Sequence, residues 1–191
     1  MKNKITEQSV VLFQKKGFSE TSIQDIVDSL GVTKGTFYYY FSSKEELLMD
    51  IHHGYIEELL YEQESILSSS YKDCKTKLYE IVYLLLHRIE TKGANAKVFF
   101  REMINLSEEH LAQIIPKRDQ FRFNIQTLLE EGVAKGEFRQ DLSVEIATFG
   151  ILGMTNWSYE WFKPTGKLSD KEVAKIFVDM ILSGIEMKNI Q

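Results

Sequence analysis

The chain has 191 residues, 43% of them hydrophobic, enough for one good core or for a small domain attached to a larger one. Its 23 basic and 28 acidic residues give a net charge of −5, which argues weakly against a nucleic-acid partner because phosphates need cations. The single cysteine, Cys74, excludes an internal disulfide framework, and MKNKITEQ has no apolar signal core, so the expected compartment is a reducing cytoplasm with no membrane or cofactor implied.

In chain order, Ile5, Val10, Leu12 and Phe13 ahead of Gly17 predict a first helix, with Lys15 and Lys16 in the last turn where the helix dipole favours cations. Thr21 reads as the next N-cap with Gln24 as its capping-box partner, and Ile23, Ile26, Val27 and Leu30 share one face of a short helix that Gly31 stops. After Val32 alone, Thr33 caps a second short helix over about 34–41. In it Phe37 and Phe41 point inward as anchors, Gly35 and Tyr39 point outward, and Thr36, Tyr38 and Tyr40 lie at the flanks. This pattern is a helix-turn-helix. Its second helix offers ammonium, hydroxyl and phenol groups to base edges and phosphates, and Gly35 would let the backbone come close to DNA. The stretch 31–44 holds Lys34 and Lys44 and no acid, so this face is positive although the body is acidic.

The run GVTKGTFYYYFSSKEELL resembles the DNA-binding domain of the tetracycline-repressor (TetR) family of bacterial regulators, strongly so over about 7–48. The resemblance implies that residues 1–48 form a domain for double-stranded operator DNA. Lys34, Thr36 and Tyr39 would face the groove, Tyr38, Tyr40 and Lys44 would hold phosphates, and Gln24 would reach the DNA edge. Thr33 and Gly35 complete the candidate set. The family often has His where this chain has Tyr40.

Ser43, with Glu46 as capping-box partner, opens a long helix to about Ser68 that links this domain to the next. A polar break over 68–73 precedes an apolar helix over 74–91, which a Gly-containing turn, Lys92 to Asn95, should close before a segment over 96–105. Ser107 caps a pattern reaching Lys135, in which Pro116 predicts a kink or break near Ile115. Ser143 caps a helix over 144–162, KPTGK makes a turn, and Ser169 with Glu172 caps the last helix to about Lys188. No strand alternation appears. The expected fold is all-α, a three-helix helix-turn-helix domain joined by a long helix to a helical effector-binding and dimerisation domain over 49–191.

Within that second domain, Phe99, Phe100, Met103, Phe121, Trp157 and Trp161 suit an apolar cavity, with Arg101, Arg118 and Arg122 as polar contacts. Singly, each aromatic is also explained as core and each arginine as a surface ion pair. Ala147, Gly150, Gly153, Met154 and Gly184 are candidates for a homodimer interface, because small residues let another helix approach; packing within one subunit explains them equally. The stretch 153–185 is similar to the C-terminal region of the acyl-CoA-responsive TetR branch, which implies a fatty acyl-CoA effector with the arginines on its phosphates. A smaller drug-like effector would use the same cavity without them.

No catalytic or metal-ligating set is expected. His52 and His53 point about 100° apart on one helix, His87 and His110 stand alone, and no histidine has Glu three residues before it. Zinc-protease, nucleophile-elbow and phosphate-loop motifs are lacking. The sequence therefore reads as a homodimeric one-component repressor released from a palindromic operator by a small apolar effector. The competing readings are a DNA-binding regulator without effector and a helical enzyme with a structural hairpin.

Overall fold

The computed structural model describes residues 1–185, and the expected extension of the last helix to Lys188 lies outside them. Among the described residues the elements are α1 (Lys2–Lys16), α2 (Ile23–Leu30), α3 (Lys34–Tyr40), α4 (Lys44–Leu67), α5 (Cys74–Arg101), a 3-10 turn (Glu102–Asn105), α6 (Glu108–Ala134), α7 (Val144–Asn156), α8 (Ser158–Trp161) and α9 (Asp170–Ile185). The fold is all-α, as the periodicity predicts.

Packing divides the chain into two compact units. Among the described residues, unit 1 holds 1–58 and 92–117, and unit 2 holds 59–91 and 118–185. Three helices therefore run from one unit into the other. Two of the crossings coincide with weak points of the backbone. In α5 the boundary falls at Lys92, whose φ of −134° and ψ of 37° interrupt the helix. In α6 it falls just after Pro116, which cannot donate a helical hydrogen bond. The expected four-residue turn over 92–95 is thus a one-residue kink, because residues on both sides of Lys92 stay helical. The helix α6 runs on through Pro116 instead of breaking.

Unit 1 is built on α1, α2 and α3. Ile5, Phe13, Ile26, Phe37 and Phe41 are buried in its core, and burying a side chain the size of Phe37 stabilises the fold by roughly 2 to 3 kcal/mol. Gly31 takes a left-handed φ of 63°, and its N–H returns to Asp28 O and Val27 O, which stops α2 where the sequence requires. The cap of α2 is Ser22 rather than Thr21. Ser22 Oγ accepts from Asp25 N–H at 3.0 Å, and Asp25 Oδ2 accepts from Ser22 N–H at 2.8 Å. Thr21 is buried and turns its hydroxyl back to Gly17 O at 2.8 Å, so the hydroxyl one residue on does the capping. Gln24 accordingly has no part in the capping box.

At α4, Ser43 Oγ accepts from Glu46 N–H at 3.0 Å, but the Glu46 carboxylate reaches Ser42 N–H, one residue before the expected partner. Ser169 and Glu172 form the predicted box at α9, with 2.8 Å from Ser169 N–H to Glu172 Oε2 and 3.3 Å back. Ser143 precedes α7 without a side-chain cap. The single helix expected over 144–162 is divided at Trp157. There Thr155 donates to Ile151 O at 2.8 Å and Ser158 to Met154 O at 3.2 Å, and such hydroxyls compete with the main-chain ladder. No described helix is long and apolar enough to cross a membrane.

Candidate nucleic-acid interface

The helix α3 stands on Phe37 and Phe41, both buried, and this fixes which of its side chains face out. Tyr39 is 80% exposed and Tyr38 54%, Lys34 and Gly35 are exposed, and Thr36 and Tyr40 are half-buried. Tyr39 and Tyr40 pack edge to face with ring centroids 4.8 Å apart, so the outward phenol leans on its neighbour. Thr33 Oγ1 accepts from Thr36 N–H at 3.2 Å and so is occupied as the predicted cap. A Cβ added to Gly35 would meet only Thr33 Oγ1, at 3.5 Å, an ordinary contact. Nothing inside unit 1 demands glycine there.

Two of the expected DNA contacts are engaged within the protein. Gln24, on the exposed face of α2, donates from Nε2 to Asp28 Oδ1 at 2.6 Å. Lys44 donates from Nζ to Phe18 O and Thr21 O, both at 2.7 Å, and stands 4.2 Å over the Phe18 ring. Burial pulls its ammonium pKa below the usual lysine value, and Glu20 and Asp25 oppose that shift. An ammonium has three donors, and Ser19 O at 3.5 Å takes the third direction. Lys44 therefore ties the start of α4 to the loop between α1 and α2 instead of standing ready for a phosphate.

The residues singled out for an effector are divided between the units: Phe99, Phe100, Arg101 and Met103 belong to unit 1, and Arg118, Phe121, Arg122, Trp157 and Trp161 to unit 2. Phe99 is core, 4.8 Å from the Tyr55 ring and 5.3 Å from His52, with Phe100 edge-on to it. Arg101 lines a cleft of about 260 Å³ with Lys15, Lys16, Lys97 and Glu102. Phe121 is buried, and its carbonyl accepts from Gln63 Nε2 at 2.9 Å. Arg122 lies 4.0 Å over the Phe123 ring and 3.6 Å from Asp119. Trp157 and Trp161 are exposed, the latter 6.0 Å from Phe177. Added Cβ atoms at Gly150 and Gly153 would meet nothing within 4 Å, so packing within the chain does not require either glycine. Ala147, Gly150 and Met154 instead line a shallow apolar depression with Ile146 and Met180. Gly184 lies in the last turn of α9.

Two family models match this arrangement. One, described as "Bacterial regulatory proteins, tetR family", covers residues 5–51, and "Tetracyclin repressor-like, C-terminal domain" covers 71–185. The chain belongs to the TetR family. It is 27% identical over 186 residues to the HTH-type transcriptional repressor KstR2 of Rhodococcus jostii, covering 96% of this chain and 90% of that one. The solved TetR-family regulator PfmR of Thermus thermophilus superposes with a TM-score of 0.88 at 32% identity, covering 96% of this chain and 99% of that one. The regulator AibR, solved with isovaleryl coenzyme A and operator DNA, shares the fold at a TM-score of 0.84 and 24% identity, covering 94% of this chain and 96% of that one. This TetR-family chain is thus a DNA-binding transcriptional repressor and not an enzyme.

Lys97 and the exposed apolar residues Ile146, Phe149, Ile176 and Met180 lie outside the set of site residues expected for this TetR-family chain from its sequence. Their signals were present: Lys97 and Arg101 are spaced i, i+4, and Ile146, Phe149 and Gly150 lie on the face opposite buried Thr148, Ile151 and Thr155.

Proposed function

We propose that this TetR-family repressor binds a twofold-symmetric DNA site as a homodimer and is released from it by a fatty acyl-CoA. Residues 1–48 read the DNA. Lys34, Thr36 and Tyr39 face the groove and Tyr38 and Tyr40 approach phosphates, since they are the polar groups of α3 that are exposed or, for Thr36 and Tyr40, half-buried at its flanks. Dimerisation uses the face of α7 and α9 that carries Gly150, Gly153, Ile146 and Met180, because an apolar face with open glycines suits a second helix pair.

The observation that carries the effector reading is the cleft where Arg101 stands with Lys15, Lys16 and Lys97. Several cations around one cavity suit the phosphates of coenzyme A, and a shared fold with a regulator solved with isovaleryl coenzyme A supports the same class. The acyl chain requires an apolar site, for which Phe100 and Met103, in the same unit as Arg101, remain the candidates.

Fluorescence anisotropy of labelled operator-like DNA, titrated with acyl-CoAs of increasing chain length, free fatty acids and CoA, tests this. Release by acyl-CoA that weakens at least tenfold in Arg101→Ala is expected, about 1.4 kcal/mol. No release by any thioester would sink the reading, and equal release by free acids or drug-like apolar compounds would remove the cations' role.

A further inference from the structure

We propose that His87, Glu90 and Asp170 form a binding site for a divalent transition metal ion, zinc or manganese, that joins the start of α9 to α5. Their ligand atoms all lie within 4.8 Å of one another. His87 and Glu90 are i and i+3 on α5, so one helical turn presents an imidazole and a carboxylate on the same face. Asp170, the first residue of α9, supplies the third group from a separate element. All three belong to unit 2.

The geometry around Asp170 is that of an oriented ligand. Its Oδ1 accepts from Lys171 N–H at 2.7 Å, which leaves Oδ2 directed at His87 Nδ1, also 2.7 Å away. Its side chain is only 7% exposed. Glu90 Oε2 lies 3.8 Å from the same imidazole nitrogen and is partly open to solvent. Tyr83 stacks on the His87 ring with centroids 5.4 Å apart and fixes its plane. Two carboxylates thus converge on one nitrogen, an arrangement that a cation between them would stabilise.

An ion about 2.0 to 2.2 Å from each donor requires neighbouring ligands roughly 3 to 3.5 Å apart. The His87–Asp170 pair would open by a few tenths of an ångström, and Glu90, whose side chain is partly open to solvent, would swing in. One nitrogen and two oxygen donors match zinc or manganese; magnesium and calcium prefer oxygen alone. Three protein ligands leave a position for water. The sequence signal, His-x-x-Glu, is the reverse of the Glu-x-x-His order of di-iron helical bundles, and its third ligand is remote in the chain.

The site is independent of the effector reading, and its test uses no DNA or acyl-CoA. Metal-free, tag-free full-length protein is melted with saturating Zn2+, Mn2+ or Mg2+, and each variant is compared with its own metal-free Tm. Zn2+ or Mn2+ should raise Tm by about 5 °C or more, as expected for a ligand at about a hundredfold excess over Kd. Mg2+ should not. Glu90→Gln and His87→Gln should each remove most of the shift, and titration calorimetry should count one ion per chain. Absence of shift and binding heat overturns the proposal; so does a shift retained in both variants, or one that Mg2+ reproduces.

Discussion

At Gly35, Gly54 and Gly132 the same substitution to alanine has different outcomes, decided by what the new methyl group meets. Replacing an exposed helical glycine by alanine stabilises a helix by about 1 kcal/mol. At Gly54, mid-way along α4, nothing lies within 4 Å of the added Cβ, so denaturant unfolding should show that gain. Gly132 is different: the Cβ would stand 2.3 Å from ring carbons of the buried Phe138, and Gly132→Ala should cost about 1 to 3 kcal/mol. Gly35→Ala separates folding from function. It should leave the fold as stable or more so, since the added Cβ makes only an ordinary contact, yet weaken specific DNA binding, the outcome expected of the proposed close approach of DNA to α3. The two aromatic and basic positions nearby also separate. Tyr39→Ala should keep the Tm and lower discrimination among DNA sequences. Lys44→Ala should lower stability by about 1 to 3 kcal/mol, since Phe18 O and Thr21 O lose a charged donor. A Lys44→Ala protein with unchanged stability and weaker binding to all DNA would return that residue to the phosphates.

Among the elements, the start of α6 shows how unit 1 is held. Glu45 Oε1, from the first turn of α4, accepts from Ser107 N–H at 2.8 Å and meets His110 Nδ1 at 2.7 Å. The Ser107 hydrogen bonds, helped by His110, hold the Glu45 carboxyl below its ordinary pKa. A carboxylate lowered in the folded state contributes stability that is present above its unfolded pKa and lost as pH falls through the folded one. Glu45→Gln should therefore flatten the loss of stability in the acid range, and leave the slope near neutral pH to other groups. Equal acid slopes in both proteins would contradict this. Most of the element boundaries were legible because their signals are local: Gly31, Thr33 and Ser169 each act within four residues. Thr21 and Ser22 were not separable, because the choice depends on Thr21 reaching Gly17 O. The break at Trp157 was hidden in an unbroken apolar pattern, and the kink at Lys92 was visible only as a weak point.

For the molecule as a whole, the outward face of α3 could be read from the sequence, since helical spacing and two phenylalanine anchors determine it. The effector set could not, because its members come from distant segments that fall in different packing units. Dimerisation is testable on its own. Gly150→Arg places a long cation where an added Cβ meets nothing within the chain, so the protein should fold normally yet fail to dimerise by light scattering. A stable Gly150→Arg dimer would move the interface elsewhere. If a dimer reads symmetric DNA through α3, footprinting on sequences selected from a random duplex library will show it. A palindromic site is expected, with half-sites about 34 Å apart or a modest multiple of that, and loss of the preference in Tyr39→Ala. Enrichment of no sequence, or of one without twofold symmetry that Tyr39→Ala still prefers, would contradict it.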